Sequence, residues 1–232
     1  MTTLLNAKGK AFSWSPSAIS DYITCPLQYG TKRYYCTLPF VQTIQMKNGE
    51  IEHKFLEGRL LMKTPLPKGY ERGEKYCRVL EAAGGTLFAE QELAIDENMK
   101  FVKWFDKTAY GRCKIDVSLR QDGKVSCYDW KTGNIKEDSL QLKINACFLA
   151  LKHPEIETFV TKYIWLKHDA VTPKDGVFSK ADIPAMWEEI LSWVERMKNA
   201  WKAERFDPKP SGLCRGWCEV TSCAHCGKGG RR

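Results

Sequence analysis

Two aspartates and a lysine in the middle of the chain have the right types and spacing to handle a phosphate ester. Asp116 ends the run Gly111-Arg-Cys-Lys-Ile-Asp116, and Asp129 and Lys131 lie within Tyr128-Asp-Trp-Lys-Thr-Gly133. The aspartates are 13 residues apart. Between them Gln121-Asp122-Gly123 reads as a hairpin turn, because Asp-Gly supplies the positive φ that such turns need. On the paired strands both carboxylates can converge on one ion. Carboxylates are hard donors suited to Mg2+ or Mn2+, and such an ion polarises a phosphate oxygen and acidifies an attacking water. Lys131 follows Asp129 by two residues and so shares its face of a strand. There its ammonium can orient the water or offset negative charge in the transition state. A single Asp-x-Lys on a hairpin is more often solvated surface charge, so the reading depends on what surrounds it.

The elements that must position these groups follow from periodicity and breakers. Ser15-Pro16 resembles a helix start, with Ile19, Tyr22 and Ile23 at helical spacing and Cys25-Pro26 as an interruption. A second helix is predicted from Gly49 to Leu61, its core side formed by Ile51, Phe55 and Leu60-Leu61 with His53 near its start, and a third from Glu71 to Ala83. Strands are predicted over Thr86–Ile95, Lys100–Phe105, Ala109–Arg120 and Lys124–Lys131. A helix over Asp138–Leu151 follows, with Leu140, Ile144, Cys147, Phe148 and Leu151 inward, then a strand over Glu157–Lys167. Asp182–Glu204 is a long amphipathic helix whose stripe is Trp187, Ile190, Leu191, Val194, Met197 and Trp201. This order predicts an α/β protein with a mixed central β-sheet flanked by helices. Pro208, Pro210 and Gly212 lead into a terminal cysteine-rich segment.

At 232 residues, with 43% hydrophobic and 12% aromatic content, the chain can bury a core. Its net charge of +8 favours an anionic partner, although the cations form short clusters, such as Lys32-Arg33 and Arg231-Arg232, and not one tail. No long apolar run marks a membrane span or secretory signal, so no membrane partner and a cytoplasmic location are expected.

Ten cysteines without an export signal read as thiols or metal ligands before disulfides. Cys36, Cys77, Cys113, Cys127 and Cys147 stand apart in apolar surroundings and read as packing residues. Cys214, Cys218, Cys223 and Cys226 crowd into 13 residues, with His225 as a further donor. Zinc and iron-sulfur chemistry are both open to such a group, and spacing alone favours zinc.

Through Gly111 to Asp116 and Asp129-Trp-Lys-Thr-Gly133, the sequence resembles the PD-(D/E)XK nuclease superfamily, specifically its RecB-like branch. His53, in Gly49-Glu-Ile-Glu-His, matches that family's Gly-x-x-x-His element, which implies a metal ligand beside Asp116, Asp129 and the main-chain carbonyl of Trp130. Glu90 and Glu92 both fit the family's acidic position, Glu90 slightly better because of its spacing to Leu93. Gln141 matches the start of a Gln-x-x-x-Tyr helix that helps position DNA, but Asn145 stands at the tyrosine's place. Ser13 to Cys25-Pro26 resembles the opening of iron-sulfur members, which implies a 4Fe-4S cluster on Cys25, Cys214, Cys218 and Cys223. Those members have two residues between the first two terminal cysteines, where this chain has Arg215-Gly216-Trp217; Cys226 and Zn2+ therefore stay open as alternatives.

The resemblance implies one nuclease domain over 1–232, with cluster-binding segments at 13–36 and 206–226 and a catalytic core at 86–167. It further implies a Mg2+- or Mn2+-dependent exonuclease acting on DNA ends or single strands in recombination or repair, similar to phage recombination exonucleases. The corresponding partner class is a recombination or single-strand-binding protein. Lys131, Asp116, Asp129 and Glu90 are then the catalytic candidates, and Gln141 and Tyr29 the DNA-binding ones, with Tyr22, Tyr34 and Tyr35 as further stacking candidates, although core packing is the safer reading for any one of these tyrosines. A catalytically idle DNA-binding module and a CRISPR spacer-acquisition nuclease remain the alternatives.

Overall fold

The Asp122-Gly123 turn forms as its sequence demands: Gly123 has φ +67°, and Gln121 pairs with Lys124 across a two-residue loop. A computed structural model describes residues 4–39, 41–136, 138–174 and 176–228; Arg231-Arg232 lies outside them. Among the described residues the strands are β1 (Thr86–Ile95), β2 (Phe101–Val102), β3 (Gly111–Gln121), β4 (Lys124–Lys131), β5 (Thr158–Trp165), β6 (Ala170–Thr172) and β7 (Val177–Ser179). They join in the order β2-β1-β3-β4-β5-β6, with β7 also on β5. The β3–β4 pair is antiparallel and β4–β5 parallel, so the sheet is mixed. The helices are α1 (Pro16–Thr24), α2 (Pro26–Arg33), α3 (Ile44–Met62), α4 (Glu74–Ala82), α5 (Leu140–Lys152) and α6 (Ile183–Lys202). This is the α/β architecture expected from the order of patterns.

The differences have local causes. α3 begins five residues before Gly49, because the Thr43 hydroxyl caps it by accepting the Met46 amide at 3.2 Å. Its inward face is also turned: Ile51 and Leu61 are exposed, whereas Glu52, Leu56 and Leu60 are buried. Glu52 tolerates burial because Arg72 donates to both its oxygens, at 2.7 and 2.6 Å. β2 is shorter than the predicted strand, because residues 103–109 fold into successive turns in which Asp106 donates to Lys103 and Ala109 to Asp106. On α5, Leu140 and Leu151 are only half-buried and Leu142, Asn145, Ala146 and Leu149 join the core. On α6, Leu191 is exposed, Trp187 is half-buried against Phe148 at 5.9 Å, and Met186 joins the stripe. β6 and β7, three residues each, are too short to carry a periodic signal.

The chain divides into two compact units. The first comprises Met1–Val41, Ile95–Arg112 and Leu191–Arg232. Aromatic rings fill its core: Trp201 meets Phe12 and Tyr34 at 5.1 and 5.2 Å, and Tyr34 meets Phe206 at 5.3 Å. The second comprises Gln42–Ala94 and Cys113–Ile190. There Leu56, Leu60, Cys77 and Leu80 of α3 and α4 pack on Val117, Trp130 and Ile164 of the sheet.

Candidate active site

Within the second unit the β3–β4 ladder runs from Gln121–Lys124 to Val117–Tyr128 and ends there. Continuing that register sets Asp116 opposite Asp129. Past the last rung, the Trp130 amide donates to Oδ2 of Asp116 at 2.8 Å, so a side chain substitutes for the missing strand partner. The Trp130 carbonyl lies 3.1 Å from Nε2 of His53 on α3. That contact requires a proton on Nε2 and turns Nδ1 toward the acids: 3.5 Å from Oδ1 of Asp116 and 4.0 Å from Oε1 of Glu90. His53, Glu90 and Asp116 each offer one donor atom, all within 4.8 Å of one another.

Glu90 reaches this group through a local distortion. It has φ +50° within β1, a conformation a non-glycine residue rarely adopts in a strand, and at a bulge such a turn re-aims the side chain. Its second oxygen pairs with Lys114. Glu92, the other acidic candidate, is exposed.

Asp129 is 3% exposed, and its carboxylate is held differently. Oδ2 pairs with the Lys131 ammonium at 2.6 Å, and Oδ1 accepts from the Gln141 amide. Gln141 in turn accepts from Lys131 at 2.9 Å, closing a three-membered ring, and the ammonium lies 4.9 Å from the centre of the Tyr163 ring. Burial first, and the Asp116 charge second, push the Asp129 carboxyl up to about 7 against the pull of Lys131. Burial pulls the His53 imidazole down, but Asp116, with Asp129 and Glu90 behind it, holds the ring above its ordinary value.

α5 fits this row by its spacing. One helical turn, Gln141 to Asn145, advances about 6 Å; two strand residues advance about 6.6 Å. Gln141 therefore meets Asp129 while Asn145 meets Cys127, its amide donating to that sulfur at 3.5 Å and accepting from Cys113 at 3.2 Å. Asn145, which stands where the family pattern has tyrosine, is completely buried and pins the helix to β3 and β4.

A metal fits these residues. Two carboxylate oxygens and an imidazole nitrogen converge beside a further buried acid, an excess of negative charge that a divalent cation offsets. The Trp130 carbonyl, expected as a ligand, is engaged by His53 and acts as the orienting partner that metal-binding histidines normally have. Tyr29 takes the packing alternative and not the stacking one. It is fully buried in the first unit and its hydroxyl accepts from the Trp201 indole at 3.1 Å, so no ring face is open to a base. Tyr34 is buried too, while Tyr22 and Tyr35 are partly exposed. Sequence reasoning missed Lys114 and Tyr163. Lys114 was within reach of the period-two rule, being two residues before Asp116. Tyr163 becomes Asp129's neighbour only through the parallel β4–β5 register, which no local pattern encodes.

The cysteines assemble in the first unit. Cys25, Cys214, Cys218 and Cys223 line one small cavity with His225. The Lys209 and Ser211 amides point at the sulfurs of Cys25 and Cys214, at 3.5 and 3.4 Å. Cys226 is buried and donates to the Cys218 carbonyl at 3.7 Å. Among the described residues, no three of these donors lie within 4.8 Å of one another.

No curated protein matches this sequence. A solved structure from Eubacterium rectale, named as a candidate exonuclease, superposes with a TM-score of 0.52 over 87% of this chain and 85% of that one. At 11% identity this is a likeness of fold. The nuclease superfamily's own sequence model spans residues 13–225, from the segment before α1 to His225 and across every residue of the metal group. The chain therefore belongs to the PD-(D/E)XK nuclease superfamily.

Proposed function

We propose that the chain is a Mg2+- or Mn2+-dependent deoxyribonuclease, working as an exonuclease on DNA ends or single strands. The observation that carries this reading is the convergence of His53, Glu90 and Asp116 beside the Lys131–Asp129 pair. His53, Glu90 and Asp116 hold the ion, with Asp129 next to them. The bound ion supplies Lewis acidity toward a phosphate oxygen and a more acidic water. Trp130 orients the His53 ring through its carbonyl and, by holding Oδ2 of Asp116 through its amide, leaves Oδ1 facing the site. Lys131, braced by Asp129 and Gln141, presents a cation where negative charge builds on the phosphorus oxygens. Gln141 holds that ammonium in place and carries α5 against the strand that bears it.

The cysteine group is read as a 4Fe-4S site on Cys25, Cys214, Cys218 and Cys223. Support comes from Cys25 lining one cavity with Cys214, Cys218 and Cys223, and from the Lys209 and Ser211 amides aimed at two of the sulfurs. Iron, sulfide and zinc analysis of anaerobically purified chain tests this: about four irons per chain with visible absorption are expected, and one zinc without colour contradicts it.

The exonuclease reading is tested on DNA labelled separately at each end and incubated with Mg2+. Products released progressively from one terminus are expected, and internal fragments from a circular substrate contradict it.

A further inference from the structure

An aromatic ring in the first unit stands almost entirely in water. Phe105 is 89% exposed on the turn after β2, and Phe101 on β2 is 42% exposed. The turn beneath Phe105 is well tied. Oδ1 of Asp106 accepts from the amide and the hydroxyl of Thr108 at 2.8 and 2.7 Å. The Asp106 amide donates to the Lys103 carbonyl at 2.9 Å, and the Ala109 amide to the Asp106 carbonyl at 3.0 Å. Arg112 donates through Nε to the Trp104 carbonyl at 2.9 Å, with its guanidinium 6.0 Å from the Trp104 ring. The ring is thus presented on an ordered support.

Lys100, Lys103 and Lys107, its neighbours along the chain, are all exposed. Asp106 is the one acid between residues 100 and 110, and its carboxylate is used within the turn; just before this stretch Asp96 caps its own turn by accepting from the Asn98 and Lys100 amides, and Glu97 pairs with Lys198. A flat apolar face flanked in sequence by exposed ammonium groups complements a chain that alternates flat bases with phosphates. Duplex DNA stacks its base faces on one another, so the match is to a single strand.

We infer that Phe105, with Lys100, Lys103 and Lys107, forms a contact site for single-stranded DNA. The ring stacks on an unpaired base and the ammonium groups pair with flanking phosphates. This rests on the nuclease reading for its choice of DNA.

The test is fluorescence anisotropy of a labelled single-stranded oligonucleotide with the full chain in metal-free buffer, where no cleavage occurs. Phe105→Ala and Phe105→Leu are expected to bind about 10-fold more weakly, with an unchanged salt slope. Phe105→Trp is expected to retain affinity. Lys103→Ala and Lys107→Ala are each expected to flatten the logarithmic salt slope by about 0.7, one phosphate contact each. Binding within two-fold of wild type for both Phe105→Ala and Phe105→Leu overturns the site. So does unchanged DNA affinity accompanied by loss of sedimentation with phosphatidylglycerol vesicles, which assigns the loop to a lipid surface. Degradation of the same oligonucleotide with Mg2+, measured in parallel, separates the two readings. A wild-type chain that degrades DNA while its Phe105 variants bind normally overturns only the loop's role. A chain that binds through Phe105 and degrades nothing contradicts the hydrolytic reading and supports the loop.

Discussion

The Trp130 amide donates to the Asp116 carboxylate at 2.8 Å, where the β3–β4 ladder has stopped. One oxygen of Asp116 therefore completes the backbone of β4 while the other faces His53. Structure and chemistry at this residue can be separated by substitution. Asp116→Ala leaves a buried amide without its acceptor and is expected to lower stability by about 1–3 kcal/mol. Asp116→Asn keeps an acceptor and is expected to lose less. Urea unfolding of the two variants checks this, and equal losses would contradict the assigned role of the Trp130 bond.

Gln141 holds both members of the Lys131–Asp129 pair. Gln141→Leu keeps the helix but removes both bonds, and a 10–100-fold fall in the rate of DNA hydrolysis is expected, in line with other residues that orient metal-site groups. Single-turnover kinetics at saturating DNA measures it. Urea unfolding should show a loss of about 1–3 kcal/mol from the unpartnered oxygen of buried Asp129, with α5 still pinned to Cys127 and Cys113 by Asn145.

Arg59 of α3 bridges Glu74 and Glu81 of α4, bonding each at 2.8 Å. Its guanidinium holds both carboxyls down to about 2 from the ordinary 4.5. A depressed folded value means that this stabilisation is complete above pH 4.5 and is lost as pH falls toward 2. Arg59→Met is therefore expected to flatten the fall in melting temperature between pH 5 and pH 2. A parallel downward shift across that whole range would assign Arg59 a packing role instead.

Gly30 in α2 lies against Phe206; a Cβ there would stand 2.3 Å from the ring's Cγ. Phe206 is itself buried and cannot swing away freely. Gly30→Ala is expected to cost about 1–3 kcal/mol in the first unit, measured by chemical unfolding followed through the aromatic signal.

Much of this was legible in the sequence because it is local. The Ser15 cap, the Cys25-Pro26 break, the Asp-Gly hairpin and the Asp129–Lys131 spacing are all encoded within a few residues. What was not legible depends on chain segments far apart or on broken periodicity. The left-handed turn at Glu90 defeats the alternation that would have set it beside Glu92. The engagement of the Trp130 carbonyl by His53 needs α3 packed at the end of the ladder. The choice between packing and stacking at Tyr29 was not legible because its partners, Trp201 and Phe206, lie more than 170 residues away.

The most direct measurement is divalent-metal-dependent degradation of end-labelled DNA by the wild-type chain, Asp116→Asn and Lys131→Ala, each verified as folded. Degradation by wild type that requires Mg2+ or Mn2+, with both variants slower by at least about 100-fold, is expected. Equal rates in all three chains, or undiminished cutting in EDTA, would contradict a metal site built on His53, Glu90 and Asp116 with Lys131 beside it.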